Sequence, residues 1–245
     1  MTAVLRLEAV FCSFARGRDR VSVLEEVSLV VPAGGIVTVL GGPGQGKTTL
    51  IRVASGTLKV DGGGVLVDGQ QLVGISEGAL TKLLARKLAV ARRHGPDARL
   101  TVEDYLLSSL SATKEGSWRS RRAAVARTLD EFDLGGVRSL RWRELSDWQR
   151  ASLELAAAMI RRPKLLLVDD VLVELGWAAK QRALELIEGF ALDQGGAVLM
   201  AVSDQTTGTR GAEVHSLAGG KLRLMHKDPD VVDIYERREA RQAAD

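Results

Sequence analysis

The chain has 245 residues, of which 45% are hydrophobic and 27% charged, a composition typical of a soluble globular protein that can bury a sizeable core. Its 34 basic and 31 acidic side chains leave a formal charge of +3, and no segment combines Lys and Arg with aromatic residues as a nucleic-acid surface would. The single cysteine, Cys12, excludes an internal disulfide. Apolar runs are shorter than the roughly 18 residues that cross a bilayer, and we expect no secretion signal at the N-terminus.

Short apolar runs alternate with longer amphipathic segments, a pattern typical of an α/β domain. Residues 4–10 and 27–31 are predicted to be early strands on either side of a turn rich in Gly and Arg, and we expect them to pair antiparallel. Residues 36–41 are predicted to be a buried strand that leads into a glycine-rich loop, and a helix follows at 47–58.

The middle of the chain, about 80–160, is predicted to be a largely helical insertion whose last helix ends at Pro163. Four elements are expected after it: strand 165–169, helix 178–192, strand 197–202 and a hairpin at 213–225 that turns on Gly219 and Gly220. The later strands are expected to be parallel.

The charged C-terminal segment at about 229–243 predicts a terminal helix. We see no long linker and no repeat. The sequence therefore predicts a single domain over residues 1–245 with a mixed sheet core, an antiparallel N-terminal β subdomain and a helical subdomain at about 80–160.

The most specific motif is GGPGQGKTT, which matches the phosphate-loop pattern G-x-x-x-x-G-K-[ST] between a predicted strand and a predicted helix. Its glycines let backbone N–H groups face a phosphate, and the helix adds its positive dipole end. Lys47 is expected to reach the β- and γ-phosphates, and Thr48 to ligate Mg²⁺. The residues expected to bind nucleotide here are Gly41, Gly42, Pro43, Gly44, Gln45, Gly46, Lys47, Thr48 and Thr49.

Two adjacent carboxylates, Asp169 and Asp170, end the apolar strand LLLVD. One interpretation is that the strand simply reaches solvent. Because a phosphate-loop ATPase needs a second acidic group at the end of a neighbouring buried strand, we instead expect Asp169 to hold Mg²⁺, directly or through water.

These two motifs, their spacing and the helical stretch between them resemble the nucleotide-binding subunit of ABC transporters, and the layout of ISEGALTKLLARKLAVA and LTVEDYL resembles the MacB and lipoprotein-release branch. The resemblance implies a P-loop NTPase fold of ABC type that binds ATP and Mg²⁺. It also implies a second ATP-binding subunit, a membrane permease and a cytoplasmic position at the inner face of the cell membrane. Phe14 matches the aromatic residue that stacks on adenine, although it could equally be a core residue at a strand end.

Three positions depart from the family pattern near the expected γ-phosphate. Asp170 stands where the family has a glutamate that polarises water, so its reach is one methylene shorter. Ser203 stands where the family has a histidine, and a hydroxyl cannot carry the charge of an imidazole. Arg92 stands near the place of a glutamine that senses magnesium. Asp170 and Ser203 remain the candidate catalytic residues.

The signature motif LSGGQ reads LSDWQ here, at residues 145–149. Asp147 is expected to repel a partner's γ-phosphate and Trp148 to crowd it. Ser146 is a candidate nucleotide ligand, but it also fits a capping box with Gln149. The segment after Asp170 lacks the closing aspartate of the family and has Gly176 in its place.

These departures favour a catalytically impaired ATP-binding subunit paired with a competent homologue, in a transporter that couples ATP binding to a membrane subunit. Two alternatives stay open. One is a hydrolysis-competent homodimer that uses Asp170, and the other is a soluble ATP-dependent scaffold.

Overall fold

The computed structural model describes residues 2–17, 19–93, 95, 99–111, 116–204, 207 and 213–227. None of the helices in these ranges combines the length and apolar character needed to cross a bilayer. The predicted helix at about 229–243 lies outside the described residues.

The helices and strands follow the order that the sequence predicts. They are β1 (Ala3–Arg16), β2 (Asp19–Pro32), β3 (Ile36–Leu40), α1 (Lys47–Ala54), β4 (Gly62–Val67), β5 (Gln70–Gln71), α2 (Glu77–Lys87), β6 (Leu88–Arg92), α3 (Val102–Ser111), α4 (Trp118–Glu131), α5 (Asp147–Met159), β7 (Leu165–Asp169), α6 (Trp177–Gln194), β8 (Ala197–Val202), β9 (Glu213–Ala218) and β10 (Lys221–Lys227). The strands at the N-terminus extend well beyond the apolar runs 4–10 and 27–31.

A four-stranded sheet with the order β2-β1-β4-β5 forms the N-terminal part of the molecule. Its pairs are antiparallel, as expected, and the long β1–β2 hairpin contains several register shifts. At one of them Ala9 has a φ of 44°, a left-handed backbone that lets the hairpin bend. One apolar face of this sheet covers the second sheet, since residues of both sheets share one buried cluster.

The second sheet has six strands in the order β10-β9-β3-β8-β7-β6. The strands from β9 to β6 are parallel, and β10 adds an antiparallel edge. Residues on β7 alternate between two apolar clusters: Leu166 and Val168 face the helices α3–α6, and Leu165 and Leu167 face α1 and the N-terminal sheet. Burial on both faces explains why this strand is apolar throughout. Because β3, β8 and β7 are parallel neighbours, their carboxyl ends meet at one edge of the sheet.

The helical region differs in one respect from the predicted boundaries of about 80–160. Leu88–Arg92 is a strand that pairs with β7, so it belongs to the main sheet. The helices α3, α4 and α5 follow it, and α5 ends at Met159, before the helix-terminating Pro163. The sequence LAVAR is too short and too apolar to be told from a buried helix segment by its periodicity.

Candidate functional site

The phosphate loop connects β3 to α1 and needs glycine at two of its positions. Gly46 has a φ of 96°, and a Cβ at this residue would lie 2.9 Å from Val23 Cγ1 and 3.0 Å from the Val23 carbonyl oxygen. A Cβ on Gly41 would lie 2.8 Å from the carbonyl oxygen of Leu217. The loop is therefore packed against β2 and β9, and only backbone can line it at these points.

The β9–β10 turn holds the loop from outside. The backbone N–H of Gly219 donates to Gln45 Oε1 at 3.1 Å, and the carbonyl of Gly220 accepts from the Glu25 N–H at 2.8 Å. One turn thus joins the phosphate loop to β2. Nothing in the sequence indicated this contact, because Gln45 and Gly219 are 174 positions apart.

Lys47 is the first residue of α1, and its side chain is only 5% exposed. The ammonium donates to the carbonyl oxygen of Gly42 at 3.2 Å and lies 3.3 Å from Asp170 Oδ2. A buried ammonium needs such partners because burial without them is costly. Its position, enclosed by the loop at the start of a helix, fits a phosphate-binding lysine.

Thr48 and Asp169 meet between α1 and the end of β7, where Thr48 Oγ1 donates to Asp169 Oδ1 at 3.0 Å. Burial and the charge of Asp170 raise the pKa of the Asp169 carboxyl. The Thr48 hydrogen bond and the charges of Arg92 and Lys47 lower it, but the net shift is upward. Hydroxyl and carboxylate oxygens are ligands that Mg²⁺ prefers. A divalent cation would also offset the burial of this charge, so the donor set fits Mg²⁺.

Asp170 lies directly after β7 with a left-handed backbone, at a φ of 49°. Aspartate tolerates this conformation better than most residues. Its N–H donates to the carbonyl of Ala201 at 3.0 Å, which extends the pairing of β7 with β8 by one residue. The hydroxyl of Ser203 lies 2.8 Å from Asp170 Oδ1 and 2.9 Å from Oδ2. The two candidate catalytic residues are therefore in direct contact.

Arg92 ends β6 and pairs in register with Asp169 on β7. The position assigned to it from the sequence is thus beside the expected metal ligand. Its backbone N–H donates to Glu154 Oε2 at 3.5 Å.

Glu154 was not a candidate in the sequence analysis, because it is an isolated acid within the apolar run of α5. Its side chain is buried, at 4% exposure, and Oε1 accepts from the Tyr105 hydroxyl at 3.3 Å. Burial raises the pKa of Glu154 to about 7, against hydrogen bonds from Arg92 and Tyr105 that lower it. This carboxyl joins α5 and α3 to the strand end that carries Arg92.

Phe14 is on β1 opposite Val21 of β2, and it is 38% exposed. The β1–β2 pair shifts register between Cys12 and Ser13, so the alternation of strand side chains does not carry from Val21 to Val23, the residue beside Gly46. Contact between Phe14 and a base therefore stays a prediction.

Ser146 caps α5 rather than contacting the loop residues described above. Its hydroxyl accepts from the Gln149 N–H at 3.3 Å, and Gln149 Oε1 accepts from the Ser146 N–H at 2.9 Å. Asp147 lies 3.5 Å from Arg150, and the Arg182 guanidinium stacks 5.7 Å above the Trp148 ring. Within one chain the Ser146 hydroxyl is therefore part of a helix cap.

Comparison with known proteins gives the class that this fold and loop define. A family model described as "ABC transporter" matches residues 24–173. The chain is 31% identical over 189 residues to the aliphatic sulfonates import ATP-binding protein SsuB 2 of Agrobacterium fabrum, over 77% of this chain and 67% of that protein. It is also 31% identical over 205 residues to the thiamine import ATP-binding protein ThiQ of a Chelativorans species, over 82% and 78% of the two chains.

The fold agrees with these sequence matches. The dimeric structure of the bacterial ABC transporter cassette MJ0796 superposes with a TM-score of 0.85 at 20% identity, over 91% of this chain and 99% of that one. The chain belongs to the ABC transporter family and is a nucleotide-binding domain of that family. The predicted family and fold class are thereby confirmed, whereas the MacB and lipoprotein-release branch stays a prediction.

Proposed function

We propose that this chain is the ATP-binding subunit of an ABC transporter in which it binds ATP well but hydrolyses it poorly. A contrast within one site carries the proposal. The groups expected to hold phosphate and metal are complete and adjacent, since Lys47 is enclosed by the loop and Thr48 contacts Asp169. The groups expected to activate water are altered, since Asp170 and Ser203 replace a glutamate and a histidine.

ATP would bind with its phosphates against the backbone amides of the loop and the Lys47 ammonium, and with its base on Phe14. Thr48 and Asp169 would hold Mg²⁺, which neutralises phosphate charge when it is bound. The chain also orients the loop for phosphate binding. Val23 and the turn at Gly219 contact the loop, so its backbone amides are held in place before ATP binds.

Hydrolysis by this chain is expected to be slow because Asp170 is short and its oxygens are already engaged. They lie within hydrogen-bonding distance of Ser203 and beside Lys47, which is where a phosphate would also bind. Loss of one preorganised group typically lowers a rate by about 10²–10³. Asp147 and Trp148 would further impair a site shared with a partner chain.

The names of the relatives, both import ATP-binding proteins, support an import system. We propose a membrane permease as the partner that ATP binding drives. We further propose a heteromeric complex in which a competent homologous subunit faces this chain, at the inner face of the cell membrane. A competent partner would supply the intact signature segment that Asp147 and Trp148 no longer provide. Neither nucleic acid nor a soluble scaffold role is needed to account for the site.

Calorimetry on the purified chain tests the binding half of the proposal. We expect Mg·ATP to bind, and we expect Lys47→Ala to weaken this binding about 100-fold. Turnover measured on the chain alone and with its partner subunit tests the other half. A brisk Mg²⁺-dependent rate from the chain alone would overturn the proposed impairment.

A working ATPase that uses Asp170 is the second candidate, favoured by the retention of an acid 3.3 Å from Lys47. The variant Asp170→Asn distinguishes the working ATPase from the impaired subunit. Turnover that vanishes in this variant supports the working enzyme, and an unchanged residual rate supports the impaired subunit.

A further inference from the structure

The contacts of Asp170 point to a role other than water activation. Its Oδ2 lies 3.3 Å from the Lys47 ammonium, and both of its oxygens are within 2.9 Å of the Ser203 hydroxyl. The Asp170 side chain is 25% exposed, whereas that of Lys47 is 5% exposed. The carboxylate thus covers the lysine at the same end of the site where phosphate oxygens are expected.

An ammonium has three donors, and in this structure two of its neighbours are already acceptors: the Gly42 carbonyl and Asp170 Oδ2. A polyphosphate that bound Lys47 would have to displace or share the carboxylate, because two anions beside one ammonium repel each other. Any group that fixes the carboxylate in this place therefore opposes phosphate binding.

Ser203 is the group that fixes it. The backbone of Asp170 is held by the Ala201 carbonyl, but its side chain is directed by the hydroxyl at the end of the neighbouring strand β8. Ser203 reaches it because β7 and β8 are parallel and in register, with Asp169 opposite Ala201.

We propose that Ser203 is a positioning residue that holds the Asp170 carboxylate against Lys47, so that this carboxylate competes with a nucleoside triphosphate for the lysine. This inference rests on the proposed function, since it concerns the same phosphate site. ATP binding then includes the release of Asp170 from Lys47, and affinity is set partly by the strength of the Ser203 contact.

Isothermal titration of the full chain with Mg·ATP tests the inference through affinity, independently of turnover. Ser203→Ala removes the hydroxyl, and we expect it to tighten ATP binding about 3- to 10-fold, the effect of losing one hydrogen bond of typical net strength. Ser203→Thr keeps a hydroxyl at the same place and is expected to restore the original affinity. Ser108→Ala, which removes an exposed serine hydroxyl on α3, is the matched control and should leave affinity unchanged.

A double-mutant cycle shows whether the hydroxyl acts through the carboxylate. In the Asp170→Asn background, Ser203→Ala should no longer change ATP affinity. An unchanged or weakened affinity in the single variant overturns the inference, since the hydroxyl then either does nothing or contacts phosphate itself. Tightening that persists in the Asp170→Asn background also overturns it. If the original chain shows no binding of Mg·ATP, the proposed function itself fails.

Discussion

Two helix starts in this molecule have opposite characters, although the resemblance of their motifs predicts a phosphate next to both. The first, α1, begins after Gly46 with no side-chain cap and with no acid in its first turn. The second, α5, begins after Ser146 with a complete capping box and with Asp147 in its first turn. The free N–H groups at a helix start attract anions, and side chains that accept from them compete with any ligand.

The difference gives a physical basis for the proposed function, in which the chain binds nucleotide but contributes little to a site shared with a partner. At α1 the orphan amides and Lys47 are left for phosphate. At α5 the Gln149 N–H is already bonded to the Ser146 hydroxyl, and Asp147 places a negative charge in the first turn. Binding and hydrolysis are thus separable demands, and each can be tested at its own helix.

The largest expected effect is at α1. Lys47→Ala should weaken Mg·ATP binding about 100-fold, because a charge-assisted contact to phosphate in a buried site is lost. Calorimetry measures the change, and Lys82→Ala, at an exposed lysine of α2, is the control. If Lys47→Ala and the original chain bound Mg·ATP with equal affinity, the start of α1 would not be a phosphate site, and the proposed difference between α1 and α5 would be wrong.

The buried Glu154 of α5 should make stability fall as pH rises. Its pKa in the folded chain is raised to about 7, so between its ordinary value and pH 7 the folded state keeps a proton that the unfolded state has lost. The free energy of unfolding should therefore decrease across about pH 4.5 to 7, on the order of 3 kcal/mol, and level off above it.

Glu154→Gln isolates this effect, because the amide oxygen can still accept from the Arg92 N–H and the amide NH2 can donate to the Tyr105 hydroxyl, but the amide does not titrate. Urea unfolding of the two chains at several pH values should give curves that diverge in slope over this window. Parallel curves would show that the pKa of Glu154 is not raised in the folded chain. Any remaining dependence of stability on pH in this window would then be assigned to the raised pKa of Asp169.

A smaller gain is expected from restoring the hydrolytic groups. Asp170→Glu combined with Ser203→His returns the reach of the acid and the charge of the imidazole, and we expect ATP turnover in the complex to rise about tenfold. The gain stays limited because the signature segment is unchanged. A phosphate-release assay measures it, and no gain at all would place the defect entirely at α5.

Local patterns in the sequence predicted both helix starts. Contacts between residues that are far apart in the sequence could not be predicted from such patterns. The phosphate loop and the capping box depend on spacings of a few residues, so Gly46, Lys47, Ser146 and Gln149 could be assigned without a fold. The strand and helix order followed from the alternation of apolar runs. The uninterrupted apolar runs LLLVD and AVLMAV predicted parallel strands that are buried on both faces.

The contacts that set the chemistry of the site could not be read in the same way. Ser203 meets Asp170 only because β7 and β8 pair in parallel with one particular register, across 33 positions of sequence. The burial of Glu154 depends on how α3 and α5 pack over β6. The left-handed bends at Ala9 and Asp170 carry no glycine to reveal them. Each of these features is decided by tertiary packing rather than by propensity.

The smallest effect we expect separates the two interpretations of Ser146. If the hydroxyl is a helix cap, Ser146→Ala costs about 1 kcal/mol of stability, because the Gln149 N–H loses its acceptor. Ser146→Asp keeps the cap but adds a negative charge, so it should retain stability in thermal or urea unfolding. ATP affinity of the partner's site, measured in the assembled complex, should then be the same for Ser146→Ala and the original chain, since a helix cap with Asp147 beside it contributes no attraction for phosphate. A loss of affinity in Ser146→Ala that exceeds its loss of stability would make Ser146 a ligand, and α5 would then resemble α1 more than its capping box suggests.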